Sequence, residues 1–157
     1  MKPYRFALQD LLPHAGPMIL LDEVIAHDET NLTAAVTVRP GRLFFVTGRG
    51  MPSHVAIEWM AQACGACAGA AARGRGLPVR IGLLLGTRNF VAKVAWFPEA
   101  ERLHVKVRQS YNDGQMGSFD CRVENSTTGA ALATAQLMVY QPDDVSGLLA
   151  TQPTRAA

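Results

Sequence analysis

Within the alanine-rich, largely apolar run His54–Arg73, polar side chains recur every four residues at His54, Glu58 and Gln62. A helix turns about 100° per residue, so a four-residue step advances about 40° and all three lie on one face. A carboxyl on such a stripe, shielded from water by apolar neighbours, resists ionisation. It can then give a proton to a leaving oxygen or take one from carbon or water. Two readings are open. The stripe is either the wet side of the helix, with Glu58 in solvent and Gln62 bonded to a strand, or the wall of a cleft where Glu58 does acid–base work. The apolarity of the rest of the helix favours the cleft.

The start of the same run offers a second component. Pro52–Ser53 opens the helix, with Ser53 a natural N-cap. The N–H groups around Ser53, His54 and Val55 then have no carbonyl one turn earlier, and they point outward at the positive end of the helix dipole. Donors placed there can hold a carbonyl oxygen while negative charge builds on it.

Other reactive groups carry less. His14 lies in Leu11–Met18, just ahead of the first strand, and is a candidate base together with His54; His27 and His104 have no constellation around them. Cys64 and Cys67 form a C-x-x-C without a second ligand pair and sit in an apolar run, so they read as small buried hydrophobes, with no metal site. With Cys121 they make an odd number, which argues against a secreted disulfide framework. Gly48–Arg49–Gly50 lacks the spacing of a phosphate loop. From Trp59 to Pro98 there is no acidic residue, while Arg73, Arg75, Arg80, Arg88 and Lys93 fall in that stretch. They are either a solvated helix end and strand edge or a basic rim that steers an acidic carrier protein or a cofactor phosphate.

These groups need a frame. Phe6–Leu12 is a lead-in helical turn stopped by Pro13; Met18–Ile25 and Asn31–Val38 read as a hairpin turning at His27–Thr30, and Pro40–Met51 is a glycine-containing crossing loop. The helix His54–Arg73 ends at Gly74 and Gly76. The segments Arg80–Val91, Arg102–Ser110, Gly117–Glu124 and Ala130–Tyr140 are strands with Asn, Asp and Gly in their connectors. A helix apolar nearly all round, preceded by two strands and followed by four, is an α+β plan in which an antiparallel sheet curves around the helix. A chain of 157 residues with 48% hydrophobic residues suits one domain, here 1–142, followed by a polar tail, 143–157. A net charge of +2, with no interleaving of aromatic and basic residues, sets nucleic acid aside. No window approaches the roughly 18 apolar residues of a membrane span and no signal peptide opens the chain, so the expected location is cytoplasmic.

Two stretches resemble a known family. Leu11–Leu12–Pro13–His14–Ala15–Gly16–Pro17–Met18–Ile19–Leu20–Leu21–Asp22–Glu23–Val24 is similar to the opening motif of the 3-hydroxyacyl-acyl-carrier-protein dehydratases. Pro52–Ser53–His54–Val55–Ala56–Ile57–Glu58–Trp59–Met60–Ala61–Gln62–Ala63 is similar to their central-helix motif. The resemblance implies a hotdog fold and a homodimer whose sheets join, possible pairing with a different hotdog chain or higher assembly, and active sites at the subunit interface. It makes Glu58 the helix acid and Gln62 the glutamine that follows it, and it matches the Ser53–His54 backbone to the helix start that holds the substrate carbonyl. The substrate handle is the phosphopantetheine of acyl-carrier protein or coenzyme A, with no other cofactor.

The family's catalytic histidine lies in a Gly-His-Phe-Pro-Gly segment before the helix, and Phe44–Met51 contains no histidine. A shorter variant found with aryl-polyene pigment biosynthesis also lacks that segment and resembles this chain more closely. The expected activity is dehydration of a 3-hydroxyacyl thioester to the trans-2-enoyl thioester. Thioester hydrolysis and a noncatalytic acyl-binding partner subunit are the alternatives.

Overall fold

A computed structural model of the chain describes residues 2–3, 6–12 and 16–142. The predicted tail, 143–157, and His14 lie outside the described residues. Among the described residues nine strands and two α-helices follow in order: β1 (Lys2–Pro3), α1 (Leu8–Leu11), β2 (Glu23–His27), β3 (Asn31–Thr37), β4 (Met51–Pro52), α2 (Val55–Gly74), β5 (Leu83–Ala92), β6 (Trp96–Phe97), β7 (Arg102–Asn112), β8 (Met116–Asn125) and β9 (Ala131–Tyr140). Seven strands form one antiparallel sheet in the order β1-β2-β3-β7-β8-β9-β5, and β4 pairs with β6 separately.

The inward residues of β3, β7 and β8, among them Leu32, Val36, Leu103, Val105 and Val123, close over Trp59, Met60, Ala63 and Ala66 of α2 in a single core. This is the sheet-around-helix plan expected from the sequence. The helix is wrapped because its flanks are alanine, cysteine and glycine, which let strands approach closely. Gly69 marks the tightest point on the other side: a Cβ there would lie 2.5 Å from the Leu11 carbonyl of α1. Gly69→Ala is therefore expected to cost about 1–3 kcal/mol by forcing α1 off α2, read as a lowered urea midpoint. An unchanged midpoint would mean that α1 contributes little.

The sequence overextends the first strand. Met18–Ile25 was expected to be extended, yet Gly16–Met18 is a 3-10 turn and pairing begins only at Glu23. The cause is a side chain. Gln62 of α2 accepts from Leu20 N–H and donates to the Met18 carbonyl, so these backbone groups are satisfied without a neighbouring strand. The helix start also differs by one residue. His54, not Ser53, occupies the N-cap, in helical conformation and without a side-chain cap bond. Ser53 N–H is committed to the Ala95 carbonyl, and the Ser53 carbonyl accepts from Ala56 N–H, so the first turn winds tightly.

Cys64, Cys67 and Cys121 are all buried and free, with 3.6 Å between the sulfurs of Cys64 and Cys121. Burial pushes the Cys67 thiol up to about 12 and Cys64 well above its ordinary value, consistent with packing groups rather than nucleophiles.

On the outer sheet face His104 stands opposite Glu124. Partial burial, then the neighbouring Arg102 and Lys106, hold His104 below its ordinary value, although Glu124 opposes them. A histidine depressed on folding binds its proton more readily in the unfolded chain. Its contribution to stability is thus complete above about 6.5 and is lost as pH falls through the lower folded value. Between pH 7 and 5 the melting temperature should fall less steeply in His104→Gln than in the wild type; parallel curves would assign the slope elsewhere. Glu124 acts in a lower window. Burial opposes its ionisation, but Lys106 at 2.7 Å and Arg122 at 2.8 Å outweigh that and hold it below 4.5.

Candidate active site

Glu58 sits in the first turn of α2, half-buried. Its carboxylate is fixed from one turn further along, where Gln62 Nε2 donates to Glu58 Oε1 at 3.2 Å. Gln62 is only 1% exposed. Its Nε2 also donates to the Met18 carbonyl at 2.7 Å, and its Oε1 accepts from Leu20 N–H at 2.9 Å. Both amide protons are therefore committed, leaving none for a ligand. Expected to touch substrate, Gln62 instead orients Glu58 and ties the Met18–Leu20 segment to the helix.

The same segment is held from its far side by a cluster that sequence reading missed. Arg42 donates to the Leu20 carbonyl at 2.6 Å and lies 3.2 Å from Asp22 Oδ1. Asp22 also pairs with Arg39 at 3.1 Å and accepts from Thr37 N–H at 2.7 Å. The signal was present in the opening motif as Asp22, but only the fold brings Arg39 and Arg42 to it.

His54 is exposed at the helix start, on the stripe one turn before Glu58. Intrahelical bonding begins at Ala56 and Ile57, which donate to Ser53 and His54. The His54 and Val55 N–H groups precede it and have no hydrogen-bond partner among the described residues, whereas Ser53 N–H is spent on Ala95. His54 and Val55 are therefore the N–H pair free to receive an oxygen at the helix start.

Glu58, Gln62 and the helix-start amides come together; His14 lies outside the described residues, though the segment just after it is the one Gln62 and Arg42 pin. The loop expected to lack a histidine is well defined. Val46 and Gly50 bridge, Arg49 lies 5.4 Å over the Trp96 ring, and a Cβ on Gly50 would lie 2.1 Å from the Phe97 carbonyl.

The basic rim is not one cluster. Arg73 and Arg75 are at the far end of α2, about 22–25 Å along the axis from Glu58. Arg80 donates to Gly114 and Gln141 carbonyls, and Arg88 and Lys93 lie exposed on or beside β5. Five cavities lined by described residues measure about 20–490 Å³, and Glu58 lines none of these five. The cleft expected around it is not among these cavities of the described residues. No helix among the described residues is long and apolar enough to cross a membrane.

A curved antiparallel sheet around an apolar helix, with a glutamate held in that helix's first turn, defines a hotdog protein. Its solved neighbours agree. A chain of the dehydratase heterocomplex ApeI:P from Xenorhabdus doucetiae is 29% identical, with a TM-score of 0.86, covering 95% of this chain and 100% of that one. A hypothetical thioesterase with coenzyme A from Streptococcus pneumoniae and the zebrafish thioesterase superfamily member 2 are each 11% identical at a TM-score of 0.61. Both cover 76% of this chain, and the alignments span 84% and 80% of theirs; at that identity they speak for the fold alone. No curated protein sequence matches significantly. The profile of the ApeP dehydratases matches residues 6–150, and the chain belongs to this ApeP-like family.

Proposed function

We propose that the chain is a subunit of a 3-hydroxyacyl thioester dehydratase, acting on acyl groups carried by the phosphopantetheine of acyl-carrier protein or by coenzyme A. The observation that carries this reading is the half-buried Glu58 carboxyl, fixed by Gln62 beside two unspent helix-start amides. The amides of His54 and Val55 hold the thioester oxygen while a base removes the C2 proton, and the negative charge that develops rests on that oxygen. Glu58 gives its proton to the C3 hydroxyl. The C3–O bond breaks, water leaves and the C2–C3 double bond forms. The C2 proton taken by the base then passes through solvent to the Glu58 carboxylate, which restores both groups.

His14 is the first choice for the base, because the segment following it is clamped to the helix that carries Glu58. His54, on the same stripe, is the second. A second hotdog chain completes the cleft. The related Xenorhabdus chain belongs to a dehydratase heterocomplex, which supports such pairing.

A noncatalytic partner role is the second reading, favoured by the absence of a histidine from Phe44–Met51. Mass-resolved turnover of 3-hydroxyacyl carrier-protein and coenzyme A thioesters separates the cases, run with wild type, His14→Ala and His54→Ala. Loss of one water, abolished in one histidine variant, supports the dehydratase and names its base. Release of free acid would make it a thioesterase, and binding without turnover would make it a partner subunit.

A further inference from the structure

We propose that Arg42 is a positioning residue for Glu58: its grip on the Leu20 carbonyl fixes the segment that sets the Gln62 amide, and the Gln62 amide sets the Glu58 carboxyl. This rests on the reading that Glu58 is the general acid, and it names a group outside the reacting atoms on which that acid depends.

Among the described residues, the backbone of Leu20 is hydrogen-bonded to side chains alone. Ile19 N–H closes the 3-10 turn on the Gly16 carbonyl, and Asp22 N–H reaches Ala35 of β3. Between them, Gln62 accepts from Leu20 N–H at 2.9 Å and Arg42 donates to the Leu20 carbonyl at 2.6 Å. The segment in turn dictates which way the Gln62 amide points. Leu20 N–H demands the amide oxygen, and the Met18 carbonyl, at 2.7 Å, demands the nitrogen. Only that orientation leaves a proton of Nε2 for Glu58 Oε1 at 3.2 Å. This last bond is the longest of the chain, so it is the first to fail when the segment shifts.

Arg42 is itself mounted, which separates it from ordinary surface charge. Asp22 Oδ1 lies 3.2 Å from its guanidinium, and Asp22 Oδ2 accepts from Thr37 N–H at 2.7 Å, so the ion pair is anchored on the last residue of β3. The side chains of Arg42 and Asp22 are only 25% and 14% exposed. A charge-assisted bond in such a place is stronger than one in open water. Leu20 and Leu21 belong to the buried core, so apolar packing keeps the segment near the helix when Arg42 is removed. What is lost is its placement to within about an ångström, and a displacement of that size at a catalytic group costs roughly a hundredfold in rate.

The test has two arms. In turnover of a 3-hydroxyacyl thioester, Arg42→Gln is expected to lower kcat by roughly ten- to a hundredfold with KM changed less than about twofold, since Arg42 acts through Leu20 and Gln62 and not on substrate. Arg42→Lys should recover most of the loss, because an ammonium can still reach the Leu20 carbonyl and pair with Asp22. An unchanged kcat while Glu58→Gln is impaired overturns the proposal, and a raised KM at constant kcat does so too by making Arg42 a substrate contact. The second arm needs no turnover. Solvent exchange of the Gln62 side-chain amide protons, read by heteronuclear NMR, should quicken about tenfold or more in Arg42→Gln, while the backbone amides of β7 and β8 keep their rates. Unmoved Gln62 protons overturn the proposal; equal acceleration throughout the chain also overturns it, since Arg42 would then serve stability alone. A wild type without turnover removes the dehydratase reading, and the exchange arm still decides whether Arg42 sets Gln62.

Discussion

Glu58→Gln is expected to lower turnover of a 3-hydroxyacyl thioester by about a hundred- to ten-thousand-fold while leaving the folded chain almost unchanged. The size follows from what one positioned general acid contributes. The selectivity follows from geometry. A glutamine keeps the length of the side chain and an oxygen that can accept from Gln62 Nε2, so the bond now measured at 3.2 Å survives. On the proposed mechanism, what is lost is the proton that Glu58 would give to the departing hydroxyl. The comparison requires thermal melts of both proteins, because a variant that unfolds would lose activity for another reason. A folded Glu58→Gln protein turning over within a fewfold of wild type would remove Glu58 from the chemistry and leave the helix-start amides and the candidate bases His14 and His54.

Gln62→Leu should have the largest effect on stability of any conservative exchange near the site, about 2–4 kcal/mol. Leucine is close in volume, so the loss is polar. Leu20 N–H and the Met18 carbonyl are left without the partners they have at 2.9 and 2.7 Å, in a place where Gln62 admits almost no water. Urea denaturation with an unchanged slope would report the loss directly. Hydrogen exchange adds a local signature: the Leu20 amide should lose protection disproportionately to the amides of β7 or β8. If Leu20 stays protected in Gln62→Leu, then Arg42, which holds the Leu20 carbonyl at 2.6 Å, suffices to fix the segment. Gln62→Glu should be worse than leucine, since it turns a donor into an acceptor facing two other acceptors, the Met18 carbonyl and Glu58.

The central helix was legible because its signal is local: one apolar run, a polar stripe every four residues and glycines at its end. The order of strands was legible for the same reason, with turn residues between alternating segments. The first strand was misread at its start because the partner of Leu20 and Met18 is a side chain 42 and 44 residues away, and no local pattern encodes that choice. Ser53 looked like the cap, but its amide is claimed by Ala95, a neighbour only after β4 and β6 have paired. Glu58 and Gln62 were found by spacing. The real job of Gln62 was hidden, because spacing reveals that two side chains share a face and says nothing about what lies opposite. Asp22, Arg39 and Arg42 escaped because each alone reads as ordinary surface charge.

The pairing of β4 with β6, and of Ser53 N–H with the Ala95 carbonyl, fastens the first turn of α2 to the chain only a few residues beyond the end of β5. Whatever holds that strand end therefore also holds the backbone from which Glu58 projects. Enzyme output would then depend on protein concentration as well as on substrate. Dilution below the dissociation constant of the assembly should lower specific activity, and adding back a competent partner should restore it without any change in the chain itself.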